Sequence, residues 1–364
     1  MFNFLIVANK VHFLQLERCY PHLIGEWEEM VMNKLGNMQR LAFVTGGSGF
    51  VGGRLIRALV GQGWQVRALV RGQKAAASVA TVGAVPVLGE LTDQAALSKA
   101  MAGCEVIFHV AALFKMWGKQ KDFNAVNVDG TRTLVEAAVA TPSVKKVIMV
   151  SAGAIVQGDP EPLVNIDERA PIQQRSFAPY SASKAEAEQI LLAANGRRDG
   201  FQTVAIRPTF VWGTGMPMLD QMVEVVKAGN WQWPDAGTQA MSTSHINNLV
   251  DALLLAVDRG HGAYFVADAE DGTLKGVISD LLATRGVKAG DKSVSFGMAW
   301  MLAGVMGFFW NLFNLKGEPP ITRQMLRLIG KPFTVNISKA RRELGYAPRV
   351  SWKQGIAEMA SRNS

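Results

Sequence analysis

The sequence predicts an α/β protein built on a doubly wound parallel sheet, with a smaller, mostly helical substrate region after it. Two observations carry this. Apolar runs of strand length alternate with helical patterns through the first two-thirds of the chain, a βαβ rhythm that sets successive strands in parallel. The first run, Leu41-Ala42-Phe43-Val44, ends in Thr45-Gly46-Gly47-Ser48-Gly49-Phe50-Val51-Gly52, and a helical segment from Arg54 to Val60 follows. Strand, glycine turn and helix in that order let the backbone approach a pyrophosphate. The helix start offers free N–H groups and a positive dipole end.

Taken in order, strands are expected over Leu41–Thr45, Gln65–Val70, Val85–Leu88, Val106–His109, Lys146–Ser151 and Thr203–Ile206. Between them lie segments of helical spacing, such as Leu134-Val135-Ala138-Val139. Right-handed crossovers place a ligand at the carboxyl ends of such strands. The residues with chemistry gather at those ends: the glycine turn, Arg71, Glu90, His109 and Ser151. After about Gly213 the rhythm fades and helices dominate, with Trp231, Trp233, Trp300 and Trp310 among them. The expected division is a nucleotide-binding part over residues 38–212 and a substrate-binding part over 213–364, some of whose segments return to the first core.

The bulk numbers exclude several classes. A chain of 364 residues buries a large core. Hydrophobic content of 49% excludes a disordered chain. The net charge is +8, but the basic residues are scattered, which argues against nucleic-acid binding. Two cysteines, Cys19 and Cys104, form no disulfide framework and fit a reducing cytoplasm. No CxxC or paired-histidine spacing suggests a metal. Met1–Ala8 is apolar but lacks the basic leading region and cleavage site of a signal peptide. Since Met38 makes a natural beginning for the glycine-turn unit, residues 1–37 are read as an accessory segment or a mis-assigned start.

Tyr180-Ser-Ala-Ser-Lys184 puts a phenol and an ammonium one helical turn apart on one face. A phenol of ordinary pKa near 10 is a poor acid–base group at neutral pH. A nearby ammonium and an oxidised nicotinamide favour phenolate, so Tyr180 is the expected acid–base residue. Lys184 is expected to tune it and to hold the nicotinamide ribose. Arg71 stands where an NAD site usually carries an acidic residue, and an arginine there suits a 2′-phosphate. The expectation is NADP(H), with NAD(H) as the alternative; a solvated surface arginine is the plain reading. Glu90 is either an acceptor for the adenine amino group or part of a capping stretch with Asp93.

These motifs resemble the extended short-chain dehydrogenase/reductases, with their Rossmann fold. TGGSGFVGG is similar to the family's TGxxGxxG turn, which adds Phe50 and Val51 to Gly46, Gly49 and Gly52 as cofactor contacts. His109-Val-Ala-Ala112, Asn127-Val-Asp-Gly-Thr131, Tyr180–Lys184 and Ile206-Arg207-Pro208 with Trp212-Gly213 resemble further family signatures. They imply cofactor contacts at Leu91, Ala111 and Pro208. Ser244–Val250 and Ala340–Pro348 extend the resemblance to residues 40–360. Pro319-Pro320-Ile321-Thr322-Arg323 looks most like the 3β-hydroxysteroid dehydrogenase and dihydroflavonol-reductase branch. The family also implies a homodimer.

One departure matters. The family places a Ser or Thr after the fifth strand to hydrogen-bond the reacting oxygen. Counted from the strand, that position is Ala152; counted back from Gly158, it is Gly153. Ser151 is one or two places early, and one step along a strand reverses a side chain. A strand-end bulge would bring Ser151 into line.

The C-terminal third supplies Met216, Met218, Trp231, Trp233 and an apolar run through 295–310. Such side chains favour a bulky apolar carbonyl or alcohol substrate: a steroid, a flavonoid-like ring or a long acyl chain. The run is too short to span a bilayer, so it is expected as a lid or as a helix lying on the membrane surface. The rivals are an NAD-dependent sugar-nucleotide epimerase or dehydratase and a nucleotide-binding regulatory protein that has lost catalysis.

Overall fold

The computed structural model describes residues 40–361. The accessory segment read over residues 1–37 lies outside the described residues. The main sheet has seven strands: β1 (Leu41–Thr45), β2 (Gln65–Val70), β3 (Val85–Leu88), β4 (Val106–His109), β5 (Lys146–Val150), β6 (Gln202–Pro208) and β7 (Gly262–Val266). Their order across the sheet is β7-β6-β5-β4-β1-β2-β3, and every pairing is parallel. The sheet is therefore wound outward in two directions from β1 and β4. Ligands bind where the winding reverses, beyond the carboxyl ends of those two strands.

Strand alternation explains the two-sided burial. Ala42 and Val44 point to one face and meet Leu55, Ile56 and Leu59 of helix α1 (Phe50–Gly61). Phe43 points to the other and meets a cluster with Ile107, Leu134, Val135 and Leu191. A strand covered on both faces reads as a continuous apolar run, and that is how β1 reads. Helices α2 (Gln73–Ala80), α3 (Gln94–Met101), α4 (Gly130–Ala140) and α5 (Pro179–Ala193) complete the crossovers.

After β6 come α6 (Met218–Lys227), α7 (Ile246–Asp258), α8 (Leu274–Ala283), α9 (Phe296–Leu312), α10 (Arg323–Ile329) and α11 (Trp352–Ser361). α7 joins the main core through Leu249, Val250 and Leu253, and α9 packs on α10 through Phe296, Ala299, Ala303 and Leu326. Leu163–Ile166, from before α5, joins three short strands from after β6 in a second sheet. α6, α8 and α11 build a separate apolar cluster. Trp212 and Trp233 are buried there among Leu219, Val223, Ile278 and Leu281. Asp268 ties this region to the main sheet. It accepts from Trp212 Nε1 at 2.7 Å, Thr243 Oγ1 at 2.7 Å, the His245 N–H at 2.8 Å and Asn248 Nδ2 at 2.7 Å. His245 caps α7, its Nδ1 accepting from the Asn247 N–H at 3.3 Å.

Candidate active site

The glycine turn is held by close packing. Gly46 has φ +71°, and a Cβ there would stand 2.6 Å from the Ala111 nitrogen. A Cβ on Gly52 would collide with the Gly46 carbonyl oxygen. Helix α1 begins at Gly49 with no side-chain cap. Its first N–H groups therefore face the cavity, a site suited to an anionic diphosphate. These features fit a dinucleotide.

Below the turn, a buried hydrogen-bond chain joins β1, β4 and α4. Thr131 Oγ1 donates to the Asn127 carbonyl at 2.5 Å and so accepts from His109 Nε2 at 2.9 Å. His109 Nδ1 then accepts from Thr45 Oγ1 at 2.8 Å, and Thr45 accepts the Ala111 N–H at 3.2 Å. Every polar group is used only if the imidazole is neutral with its proton on Nε2. Burial agrees, pushing the His109 pKa down to about 3. His109 is a brace for the turn. Asn127 does similar work, accepting the Leu113 N–H at 2.7 Å and donating to Ser183 Oγ at 2.9 Å. That bond fixes the loop after β4 against α5.

Tyr180 and Lys184 lie on α5 and are both buried. The Phe114 ring meets the Tyr180 ring edge-on, with centroids 4.9 Å apart. Lys184 Nζ donates to the Val150 carbonyl at 2.7 Å. Burial lowers the Lys184 pKa to about 8, partly opposed by the Glu188 carboxylate. Burial pushes the Tyr180 pKa above its ordinary value, with no compensating effect from Lys184. Burial is the cause of that direction and favours the neutral phenol.

The hydroxyl of Ser151, expected as the donor to a reacting oxygen, is engaged elsewhere in this structure. Ser151 Oγ donates to Glu188 Oε2 at 2.5 Å. Glu188 is in turn paired with Arg207 through Nε at 3.1 and 3.0 Å and Nη2 at 2.5 Å. No bulge turns the serine: its N–H continues the ladder to the Ile206 carbonyl at 2.7 Å.

One cavity of about 1610 Å³ runs along the carboxyl ends of the strands. It exceeds the roughly 300–1,000 Å³ of a single small-molecule site and has room for a dinucleotide and a second molecule. Its wall includes all the anticipated contacts: Gly46, Gly49, Phe50, Val51, Gly52, Arg71, Glu90, Leu91, Ala111, Ser151, Tyr180, Lys184 and Pro208. Arg71 and Glu90 are exposed at its mouth. The sequence reading missed Gln73, Lys74 and Ser78 of α2 and, deeper in, Gln157. Gln157 is buried, and its Oε1 has no hydrogen-bond partner. No local pattern in the sequence marks it. Among the described residues no group of side chains is arranged to hold a metal ion.

Comparison with known proteins agrees with this geometry. Residues 43–260 match the model of the 3-beta hydroxysteroid dehydrogenase/isomerase family. A 4-hydroxy-2-methyl-3-oxo-4-farnesyl-3,4-dihydroquinoline-1-oxide ketoreductase of Stigmatella aurantiaca is 40% identical over 86% of this chain and 94% of its own. A 2-alkyl-3-oxoalkanoate reductase of Stenotrophomonas maltophilia is 31% identical over 88% and 98%. A dTDP-glucose 4,6-dehydratase of Streptomyces venezuelae, solved with NAD, superposes with a TM-score of 0.68 at 22% identity, over 88% of this chain and 96% of its own.

The NADP(H) preference read from Arg71 is corrected by such structures. In that dehydratase and in further solved structures of the same fold, the bound cofactor is NAD. The physical reason lies in exposure: a guanidinium at an open mouth is a hydrated surface cation, and its presence does not make a 2′-phosphate clamp. The chain belongs to the 3-beta hydroxysteroid dehydrogenase/isomerase family and is an NAD(P)-dependent oxidoreductase acting on CH–OH or C=O groups.

Proposed function

We propose that this chain uses NAD(H) to interconvert a ketone and a secondary alcohol on a bulky apolar substrate. The observation that carries the reading is where the charges in the cavity wall lie. Arg71, Lys74 and Glu90 stand at the nucleotide mouth. The rest of the wall has only Lys184 and Glu318 as charged groups, among Met116, Phe210, Met216, Met222, Trp231 and Met325. A sugar nucleotide brings a second diphosphate and needs cations to hold it. Lys184 is committed to the α5 site, and Glu318 has the wrong sign. Relatives named for a farnesylated quinoline oxide and for an alkyl-oxoalkanoate support the apolar reading.

Bound NAD(H) supplies or accepts the hydride. The chain's residues do the rest. The turn at Gly46–Gly52 and the α1 start hold the pyrophosphate, with Phe50, Val51, Leu91, Ala111 and Pro208 as walls. Lys184, freed from the Val150 carbonyl, holds the ribose next to the nicotinamide. Tyr180, kept neutral by burial, donates its proton to the carbonyl oxygen in reduction. Gln157 supplies the amide that stabilises that oxygen where the serine is missing. Residues 38–212 form the nucleotide-binding part, and most of 213–364 the substrate part.

The test is a panel assay with NADH, offering 3-ketosteroids and long-chain 2-alkyl-3-oxoalkanoates beside UDP- and dTDP-sugars. Turnover of the apolar ketones alone is expected. Conversion of a nucleotide sugar, or turnover of nothing, would overturn the reading in favour of the epimerase or of a lapsed enzyme.

A further inference from the structure

Helix α5, which carries Tyr180 and Lys184, begins without a cap of its own. Ala178 stands at its N-cap and offers no side-chain acceptor, and Pro179 in the first turn has no N–H. Tyr180 therefore bears the first N–H of the helix, one of the groups that a helix start leaves without an internal partner. Its acceptor comes from the substrate region, 144 positions on: Gln324 Oε1 of α10 accepts the Tyr180 N–H at 3.3 Å. The other end of the same amide, Nε2, donates to the Lys115 carbonyl at 2.6 Å, in the loop after β4. Gln324 is 4% exposed, and a buried amide with both ends engaged is held in one orientation.

Both partners of that amide border the proton site. The loop that Gln324 holds carries Phe114, whose ring meets that of Tyr180, and Met116 of the cavity wall. One turn further along α10, the buried Arg327 grips the same region. Its Nε donates to the Gly158 carbonyl, next to Gln157, and its Nη1 to Ser181 Oγ at 3.4 Å. The guanidinium lies over the Phe177 ring, 5.6 Å from its centroid. Thr322, Met325 and Ile329 of the same stretch form part of the cavity wall. A serine or aspartate at position 178 would cap α5 from within the chain's own turn. Here the cap comes instead from an element that lines the cavity.

We propose that Gln324 is a positioning residue for Tyr180. It ties the helix start that carries the phenol to the loop after β4 and to α10, so the wall against which the ketone lies also sets where the proton donor stands. The proposal rests on the reading of Tyr180 as that donor. A displacement of about 1 Å at a reacting group costs on the order of 10²-fold in rate, which makes such a tie consequential.

Two measurements on the purified full chain test it, with Gln324→Met, which keeps an unbranched side chain and removes both bonds. The first needs neither cofactor nor substrate. With isotopically labelled tyrosine, of which the chain has four, the Tyr180 amide is followed by NMR and identified by its loss in Tyr180→Phe. Its hydrogen exchange is expected to be at least about tenfold faster in Gln324→Met, with the Tyr264 and Tyr346 amides little changed. Gln324→Glu accepts the N–H in either protonation state and should keep the protection, which maintains the test if the methionine variant does not fold. Unchanged exchange in Gln324→Met, or equally fast exchange in Gln324→Glu, overturns the proposal. The second is the single-turnover rate of NADH oxidation with an accepted apolar ketone. Gln324→Met is expected to lower it roughly 10- to 100-fold with NADH affinity unchanged. In a Tyr180→Phe background the same substitution should change the rate by less than about twofold, because its effect runs through the phenol. A full further loss in that background, or a wild-type rate in the single variant, overturns the positioning role and leaves the oxidoreductase reading standing. Wild type that oxidises no NADH with any apolar ketone defeats that reading, and the proposal with it.

Discussion

Replacing Lys184 by Met separates what this residue costs the fold from what it does for the site. The ammonium is 2% exposed and its pKa falls from 10.5 to about 8. At ~1.36 kcal/mol per unit, keeping the charge buried costs about 3 kcal/mol. Lys184→Met relieves that cost but strands the Val150 carbonyl, at roughly 1–3 kcal/mol. The net change in stability at pH 7 is a small gain, about 0–2 kcal/mol, while affinity for NADH falls. The pH dependence is sharper. Below pH about 8 both folded and unfolded chains carry the proton and the penalty is present in full. Between pH 8 and 10.5 the unfolded chain binds more protons than the folded one, so wild-type stability rises with pH relative to the variant. Urea unfolding of both proteins, followed by tryptophan fluorescence from pH 7 to 10.5, should show wild type gaining about 2–3 kcal/mol on the variant, so that the variant's small advantage at pH 7 is reversed. A difference that stays constant over that range refutes the buried, destabilised ammonium.

Other perturbations follow from the same geometry. Glu188→Gln leaves the Arg207 guanidinium buried without its counter-charge and should cost about 3–5 kcal/mol, seen as a large drop in Tm. Gly52→Ala forces α1 away from the Gly46 carbonyl; NADH binding should weaken at least tenfold by fluorescence titration, with a stability loss of roughly 1–3 kcal/mol. Ser151→Ala should leave turnover intact. Gln157→Leu should lower kcat on the order of 10- to 100-fold with cofactor affinity unchanged, a loss of about 1.5–3 kcal/mol for a hydrogen bond to developing charge. The reverse pattern would return the donor role to the serine.

Much of the fold was legible because strand periodicity is a local signal. Six of the seven main-sheet strands are visible as apolar runs, β1 to β4 to the residue. The seventh, Gly262–Val266, lay in a stretch read as helical, since its place beside β6 depends on a long-range pairing. The glycine turn and the Tyr180–Lys184 pair were legible because their geometry is set within one turn of chain. Ser151 was not, because its hydroxyl is captured by Glu188, 37 positions away in sequence. The Tyr180 shift was not, because it depends on how deeply α5 is covered. Arg71 was seen in its right place at the end of β2, but its exposure, which decides whether a guanidinium is a clamp or a hydrated cation, is a tertiary property. Gln157 has no local pattern at all; only the wall of the folded cavity singles it out.

The central claim is that a buried, neutral Tyr180 delivers the proton to a ketone oxygen in an apolar cavity. The most direct measurement is the single-turnover rate of NADH oxidation with an accepted apolar ketone, for wild type and Tyr180→Phe, alongside NADH affinity for both. The account predicts unchanged affinity and a rate lowered by on the order of 10²–10⁴ in the variant. A Tyr180→Phe protein that oxidises NADH at the wild-type rate would contradict it.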